Sequence, residues 1–396
     1  MSPPNKDTEL TRRALLPAGL RDVLPPDAAH EAATVESLIS CFETHGYERI
    51  KPPLVEFEDS LFSGPGAAMT ESTFRLMDPI SRRMMGVRAD VTVQVARIAA
   101  TRLGHVPRPL RLCYSGEVLR VAPGDLNSER ELVQVGAELV GADTVEADAE
   151  VILLALDALR GLGTPSMSID ITAPMLVPTL LTAFGIDDAT EKSLRAAIDR
   201  KDAAAVERHA ETVAGILTEL MAAAGERSDG LRRLKDVVLP ESVQPIVARL
   251  EAVASLVASA EPALEVTIDP VENRGFEYYT GLGFSLFSRG IRGELGRGGR
   301  YQVNGLDSEG SCGLTLYMET VIRAIMPPTA PQRLFLPIGT PRSIAAGFRA
   351  WDWITVAGMD ALTEASIDAA RLGCTHILQD GAPVALDAEQ HLANPK

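Results

Sequence analysis

Residues 116–143, GEVLRVAPGDLNSERELVQVGAELVGAD, carry the pattern from which the fold is first predicted. Alternating apolar and polar residues flank a polar loop, which predicts two strands, the second over residues 131–140. One face of this second strand is apolar and packs, with Val133, Val135, Ala137 and Leu139. The other face carries Gln134 and Glu138, about 13 Å apart by strand rise, with Gly136 between them. Two polar side chains on either side of a glycine suggest the surface of a binding site for a small ligand. A sheet face exposed to solvent gives the same pattern.

A second segment, NRGFEYYTGLGFSLF (residues 273–287), adds to this pattern. Strict alternation predicts Tyr278 and Tyr279 on opposite faces, with glycines clearing the face that Tyr279 begins. Arg274 lies in the preceding turn, where its guanidinium can point at the end of the sheet. Aromatic rings with polar tips and one arginine suit a small zwitterion. Core packing of the tyrosines and a surface ion pair for Arg274 are the plainer alternatives.

Two further segments carry candidate polar groups. Asp90 and Thr92 follow a strand and begin a helix, so Asp90 or its neighbour is a helix N-cap, and an aspartate there can also bind an amine. The glycine-rich ELGRGGRYQVNG (residues 294–305) offers Arg297 and Arg300 for a phosphate cradle. It lacks the residue order of a P-loop, so the phosphate interpretation is the weaker one.

The chain of 396 residues exceeds one compact core, so we predict several domains. A helix is predicted over 27–45, a strand over 49–57, a hairpin turning at Asp78-Pro79 and a helix near 313–325. An Ala-, Glu- and Arg-rich stretch predicts a helical insert, and MPPTAPQ (326–332) is typical of a linker. The predicted organisation is an α+β core of residues 1–183 and 261–326, the insert at 184–260, and a small C-terminal α/β domain at 327–396.

Composition narrows the function classes. The formal net charge of −16 argues against non-specific nucleic-acid binding, which needs clustered Lys and Arg. The four cysteines are far apart in sequence, which indicates neither a metal site nor a disulfide framework. The first residues lack the apolar region of a signal peptide, and no apolar run is long enough to span a membrane. We therefore expect a cytoplasmic protein with neither cofactor nor metal.

Six segments occur in the order found in one known fold family. They are LLPAGLRDVLPPDAA (15–29), VRADVTVQVAR (87–97), the opening stretch, NRGFEYYTG (273–281), GRGGRY (296–301) and CGLTLYMETVIRAI (312–325). Over residues 15–325 the chain resembles the class II aminoacyl-tRNA synthetase core and, within that class, histidyl-tRNA synthetase. The resemblance implies an antiparallel sheet flanked by helices.

The same resemblance implies a set of histidine-binding residues. Asp90, Thr92 and Gln134 would bind the α-amino group. Glu138 and either Tyr278 or Tyr279 would bind the imidazole, and Arg274 would face the carboxylate. Arg120, in the position of the motif 2 arginine, completes the predicted set. The chemistry is consistent, because an ammonium needs acceptors and a carboxylate needs a cation.

Departures from the synthetase pattern fall on the ATP side. Ala122 stands where motif 2 has a glutamate, Ser128 replaces a loop arginine although Arg130 remains, and Glu319-Thr320 replaces the Glu-Arg of motif 3. Neutral side chains do not neutralise a triphosphate as arginine does. This combination resembles the family of ATP phosphoribosyltransferase regulatory subunits.

That family implies a non-catalytic chain that senses L-histidine in a hetero-oligomer with the short-form catalytic subunit, in the first step of histidine biosynthesis. A self-dimer through the synthetase-like core is implied as well. The region 333–396 is shorter than a usual anticodon-binding domain and lacks a basic stripe, which disfavours tRNA binding. An active histidyl-tRNA synthetase and a tRNA-binding synthetase relic are the alternatives.

Overall fold

The fold was examined in a computed structural model, which describes residues 15–123, 128–272, 278–304, 308–359 and 364–386. The chain divides into two compact units, Met1–Met326 and Pro327–Lys396. Both units combine helices with sheets, so the predicted α+β class is confirmed. The finer division of the first unit into a core and an insert stays a prediction.

The first unit is built on one large sheet. In chain order its strands are β1 (Glu48–Arg49), β2 (Val55–Phe57), β3 (Arg75–Met77), β4 (Met84–Val87), β5 (Leu110–Leu119), β6 (Glu131–Val140), β7 (Met167–Thr172), β8 (Gly225–Glu226), β9 (Glu265–Asp269), β10 (Tyr279–Ser288), β11 (Gly296–Asn304) and β12 (Ser308–Tyr317). The large sheet has the order β1–β5–β6–β12–β11–β10–β7–β9–β8, and β2–β4–β3 form a small separate sheet. Within the run β5–β6–β12–β11–β10–β7 every pair is antiparallel, as the resemblance implied, whereas β1 pairs with β5 and β9 pairs with β7 in parallel.

Helices cover both faces of the large sheet. In chain order they are α1 (Asp27–Thr44), α2 (Glu58–Leu61), α3 (Thr92–Thr101), α4 (Val145–Gly161), α5 (Leu176–Ala183), α6 (Asp188–Asp199), α7 (Ala203–His209), α8 (Glu211–Ala222), α9 (Arg227–Asp236), α10 (Gln244–Ala260) and α11 (Met318–Ala324), with a 3₁₀ turn at Gly64–Met69. On one face α1, α4 and α10 pack into the main core. On the other face α3 packs beside Tyr114, Tyr279 and Tyr301. In the described part of the chain, no helix is both long and apolar enough to cross a membrane.

Strand β6 has the predicted bounds and pairs with β5 along its whole length, from Leu110↔Val140 to Leu119↔Glu131. Val135, Ala137 and Leu139 enter the main core, as alternation predicts. The opposite face is covered too, because α3 packs over it, and the side chains of Gln134 and Glu138 are buried. A solvated sheet face is therefore excluded for this strand.

The predicted hairpin and the predicted strand before it have different outcomes. The hairpin at Asp78-Pro79 is confirmed, and Asp78 fixes its turn by accepting hydrogen bonds from the Ile80 and Ser81 amides. The single strand over 49–57 is wrong, because β1 ends at Arg49 and β2 begins at Val55. Pro52 and Pro53 lie in the interruption, where they lack the amide N–H that a sheet ladder needs.

The helix predicted near 313–325 is wrong in its first half. Residues 308–317 form β12, which pairs with β6 and β11, and α11 begins only at Met318. Cys312, Leu314 and Leu316 alternate into the main core, which is the period of a strand. Residues 188–260 are largely helical, but β8 within them pairs with β9 and extends the large sheet.

The second unit is a small α/β structure. Its elements are β13 (Arg333–Leu336), α12 (Arg342–Arg349), β14 (Ile354–Ala357), α13 (Ala365–Arg371), β15 (His376–Gln379) and β16 (Ala382–Ala385). The sheet order is β14–β13–β15–β16, with β16 alone antiparallel. Small apolar clusters lie on both sides of β13, because Leu334 and Leu336 join one cluster and Phe335 joins the other.

Candidate functional site

A small cavity lies between the start of α3 and the centre of the large sheet. It is narrow, with a volume of ≈ 10 Å³. The lining residues come from α3, β6, β11, β12 and the start of β10: Thr92, Glu138, Tyr278, Tyr279, Arg297, Gly299, Tyr301, Gly313, Leu314 and Thr315. Four of the residues predicted from the sequence, Thr92, Glu138, Tyr278 and Tyr279, therefore meet in one place.

Glu138 is the central polar group of this cavity. Its side chain is 1% exposed, and it accepts hydrogen bonds from the hydroxyls of Tyr301 at 2.9 Å and Tyr114 at 3.4 Å. Burial raises the pKa of Glu138 to about 8; the Asp90 carboxylate acts in the same direction, and the neighbouring hydroxyls oppose the shift. Across the described residues, no Lys, Arg or His forms an ion pair with Glu138. Glu138 is thus a buried acceptor, and the arginine that lines the same cavity, Arg297, bonds Glu294.

Tyr114 links three elements of the site and was not predicted. Its hydroxyl lies 3.1 Å from the Thr92 Oγ1 atom and 2.9 Å from the Thr315 Oγ1 atom, in addition to its bond to Glu138. It is paired across the sheet with Gly136, and a Cβ atom at Gly136 would overlap the Tyr114 hydroxyl. Aligning the two predicted strands as a hairpin would have placed Tyr114 opposite Gly136 and so next to the site.

Gly313 likewise leaves space for the side chain of Glu138. It faces Glu138 directly in the pairing of β12 with β6. A Cβ atom at Gly313 would overlap the carboxylate of Glu138. The glycines at 136 and 313 therefore clear space for a tyrosine hydroxyl and a carboxylate, respectively.

Asp90, Thr92 and Gln134 meet at the start of α3. The Asp90 Oδ1 atom accepts the Thr92 amide at 2.8 Å, and the Gln134 Oε1 atom accepts the Val91 amide at 3.0 Å. Asp90 thus serves the helix end while its charge is close enough to affect the pKa values of Glu138 and Tyr278. The Gln134 Nε2 atom is buried and has no hydrogen-bond partner in the described structure. This donor is therefore left unsatisfied by the described residues.

The predicted faces of Tyr278 and Tyr279 are wrong. The pairing of β10 with β11 shifts between Tyr279↔Tyr301 and Gly283↔Gly299, so four steps on one strand match two on the other. Tyr278 precedes β10 and lies in a turn, so strand alternation does not apply to it. Both tyrosines line the cavity, with ring centroids 4.7 Å apart. Arg274, the predicted carboxylate ligand, lies outside the described residues.

The two arginines of residues 294–305 do not form a phosphate cradle. This segment is mostly strand β11, whose backbone pairs with β10 and β12. Arg300 is buried and bonds Asp148 at the start of α4, with an Nη2–Oδ1 distance of 2.6 Å. Arg297 lines the cavity and bonds Glu294 at 2.7 Å. The phosphate interpretation is therefore wrong, because the amides that a cradle needs belong to the sheet.

The region expected to hold ATP carries other contacts. Arg120 lies near Tyr317, where its charge counteracts the effect of burial on the pKa of that tyrosine. Arg130 donates hydrogen bonds to the Arg120 and Ala18 carbonyls and lies over the Phe74 ring. Its guanidinium thus holds the N-terminal segment against the sheet.

Thr320, in the motif 3 position, is buried and accepts a hydrogen bond from Arg323 at 3.1 Å. Arg323 also donates to the Glu319 and Arg292 carbonyls. The arginine nearest to this position is therefore bound to the protein itself.

An antiparallel sheet with this polar cavity between α3 and the strands defines the chain as a class II synthetase-like protein of the histidyl type. The sequence profile of the family described as Histidyl-tRNA synthetase matches residues 19–321. The ATP phosphoribosyltransferase regulatory subunit of Paramagnetospirillum magneticum is 51% identical over 94% of this chain and 97% of that protein. The chain therefore belongs to the family of ATP phosphoribosyltransferase regulatory subunits.

Two solved structures show the same fold. One is an ATP phosphoribosyltransferase regulatory subunit/histidyl-tRNA synthetase from Bacillus halodurans, with a TM-score of 0.79, 22% identity, and coverage of 92% of this chain and 97% of that one. The other is a chain of the ATP phosphoribosyl transferase complex of Thermotoga maritima, with a TM-score of 0.56, 19% identity, and coverage of 73% and 97%. At these identities the likeness concerns the fold alone.

Proposed function

We propose that this chain is the non-catalytic subunit of ATP phosphoribosyltransferase that binds L-histidine and conveys feedback to a catalytic partner. The observation that carries the proposal is the narrow cavity beside Glu138, where tyrosine and threonine hydroxyls and one buried carboxylate meet. Family membership supports the regulatory role, and the first step of histidine biosynthesis is the reaction that it would control.

The groups in and beside the cavity match the three ends of histidine. Glu138 would bind an imidazole N–H, with Tyr278 or Tyr279 nearby. Asp90 and the Thr92 hydroxyl would accept from the ammonium, which donates only. The Gln134 amide group and Arg120 lie on the same side of the site, and Arg274 is the cation that the sequence adds for the carboxylate. Gln134 then donates from its Nε2 atom, a role beyond the ammonium contact predicted from sequence.

Loss of synthetase chemistry is the second part of the proposal. Thr320 and Ala122 are neutral where the synthetase pattern has charged residues that seat ATP. Arg323 and Arg130 are engaged by protein groups. A triphosphate needs fixed cations, and uncharged side chains do not replace them. Bound histidine would then remain unactivated.

The proposed assembly is a hetero-oligomer with a short-form catalytic subunit, in which this chain also pairs with a second copy through its synthetase-like core. The fold match to a chain of the Thermotoga maritima complex supports the hetero-oligomer. The proposal places this assembly in the cytoplasm.

Two measurements on the full chain test the proposal. Isothermal titration with L-histidine should give saturable heat, and histidine-dependent ATP–pyrophosphate exchange should stay at the level of a no-enzyme blank. Exchange well above the blank, in a preparation free of host synthetase, would instead identify a working histidyl-tRNA synthetase. Absence of heat with histidine would remove the effector from the proposal.

A further inference from the structure

Glu138 is surrounded by groups that give it hydrogen bonds but no positive charge. The groups that face it come from every element packed around it: Asp90 and Thr92 beside α3, Tyr114 on β5, Tyr278 before β10, Tyr301 on β11, and Cys312 and Thr315 on β12. Of these only Asp90 carries a formal charge near neutral pH, and that charge is negative. Arg297 lines the same cavity, and its guanidinium is bonded to Glu294.

A buried carboxylate in these surroundings is costly to ionise. Removal from water and the nearby negative charge both favour the neutral acid, whereas donated hydroxyls favour the anion. The balance raises the pKa of Glu138 to about 8, so the ligand-free site holds a proton on this carboxyl group at pH 7. The Tyr301 hydroxyl, at 2.9 Å, is the strongest of the groups that oppose this shift.

We propose that Glu138 and the imidazole ring of the ligand bind as a pair that holds one proton between them, under the control of the Tyr301 and Tyr114 hydroxyls. The inference rests on the proposed binding of histidine and deepens it. When a neutral imidazole enters, the O–H bond of Glu138 breaks, an N–H bond forms on the ring, and the two groups become an ion pair. The ligand thereby gives Glu138 an ion-pair partner.

The proton count gives a window of pH. Free imidazole has a pKa of about 6.5. Between that value and about 8, the free protein carries the one proton that the complex needs, so none is exchanged with water. Below this window both partners are protonated and one proton must leave, so binding weakens as pH falls. Above it neither partner is protonated and one must be taken up, so binding weakens as pH rises. The limiting slope is about tenfold per pH unit on each side.

The same pair makes the site selective for a basic ring. A ring of the same shape that is not basic near neutral pH cannot accept the proton from Glu138, so it meets a neutral acid rather than forming an ion pair. Histidine is thus separated from isosteric analogues by proton affinity as well as by shape.

The test compares L-histidine with 1,2,4-triazolylalanine, whose ring is not basic in this range and whose backbone groups are the same. Titration calorimetry of the full chain from pH 5 to 9, in buffers of different ionisation enthalpy, counts protons directly. We expect no net exchange for histidine near pH 7.3. The ratio of the two affinities should stay level above about pH 6.5, because both complexes then hold one proton, and should fall toward tenfold per unit below it, where only histidine must lose a proton. The ratio cancels titration of the shared amino group.

A constant ratio from pH 5 to 9, or uptake of one proton by histidine at pH 7.3, would overturn the inference and leave histidine binding intact. Absence of histidine binding at every pH would refute the proposed function, and this inference with it.

Phenylalanine substitutions test the role of the hydroxyls. The alkaline limb is the fall in histidine affinity above about pH 8. Tyr301→Phe should move this limb to higher pH, because it removes a hydrogen-bond donor that stabilises the Glu138 anion. Tyr114→Phe should move it less, since that contact is longer. Tyr47→Phe is the matched control: its hydroxyl donates to Glu150 outside the cavity, and the limb should stay in place. If Tyr301→Phe lowers affinity equally at every pH, its role is structural and the proposed control by hydroxyls is wrong.

Discussion

Gly313→Ala should close the cavity while changing a single methyl group. Gly313 has no positive φ, so the backbone accepts alanine, and the effect comes from space alone. The new Cβ atom would overlap the Glu138 carboxylate and approach the Ala137 carbonyl oxygen to 3.0 Å. The carboxylate is buried and held by Tyr301, so it has no route to solvent. The structure must shift, or Glu138 must move into the ligand space.

The expected magnitude follows from the cost of overpacking, about 1–3 kcal/mol of the unfolding free energy. Loss of the ligand site has a separate signature. Histidine at one hundred times its dissociation constant stabilises the wild-type fold by about 2.7 kcal/mol, and this increment should vanish in the variant. The assay is urea unfolding with and without histidine.

Gly310→Ala is the matched control on the same strand. Its Cβ atom would meet the Asp143 Cβ atom at 3.3 Å, a contact that a small shift relieves, and it lies away from Glu138. We expect Gly310→Ala to keep the full histidine increment. If Gly313→Ala is as stable as this control and retains the histidine increment, the cavity beside Glu138 is not the ligand site.

Three further predictions address stability and nucleic acid. Because burial raises the pKa of Glu138 from 4.5 to about 8, the fold loses stability as pH rises through that range. Glu138→Gln should therefore stabilise the ligand-free chain by on the order of 4 kcal/mol at pH 8 relative to pH 5, and an equal effect at both pH values in urea melts would contradict it. Asp148→Asn should cost about 3–5 kcal/mol in the same melts, since it removes the buried carboxylate partner of Arg300 and leaves only the exposed Asp143; a cost below about 1 kcal/mol would show that Asp143 is sufficient. Histidine tRNA should not bind at physiological salt, given the net charge of −16, and a dissociation constant below about 1 µM in a filter assay would reverse that view.

Local sequence patterns were sufficient to predict elements that have a regular alternation or a local capping interaction. The alternation of β6 placed Gln134 and Glu138 on one face, and the structure shows both side chains buried there. The start of α3 followed from Asp90 and its neighbours: the N-cap is Val91, next to Asp90, and Asp90 accepts the Thr92 amide. These elements depend on residues within one or two turns or on a regular period of two.

The predictions that were wrong or missing depend on strand pairing between residues far apart in sequence. Pairing with β11 begins β10 only at Tyr279, so strict alternation does not extend back to Tyr278. Tyr114 enters the site because β5 and β6 pair in one register, and no local pattern marks it. Residues 313–317 are strand rather than helix because β6 and β11 lie on either side.

The most direct test of the regulatory role is histidine inhibition of a reconstituted ATP phosphoribosyltransferase. A short-form catalytic subunit should be assayed alone, with this chain, and with its Glu138→Gln and Tyr47→Phe variants, over a range of L-histidine. The wild-type chain and Tyr47→Phe should confer activity that histidine inhibits. Glu138→Gln should confer the same activity with at least about tenfold lower sensitivity to histidine, equivalent to a loss of about 1.4 kcal/mol in histidine binding. Full histidine sensitivity with Glu138→Gln would contradict the account, because the effector would then bind elsewhere.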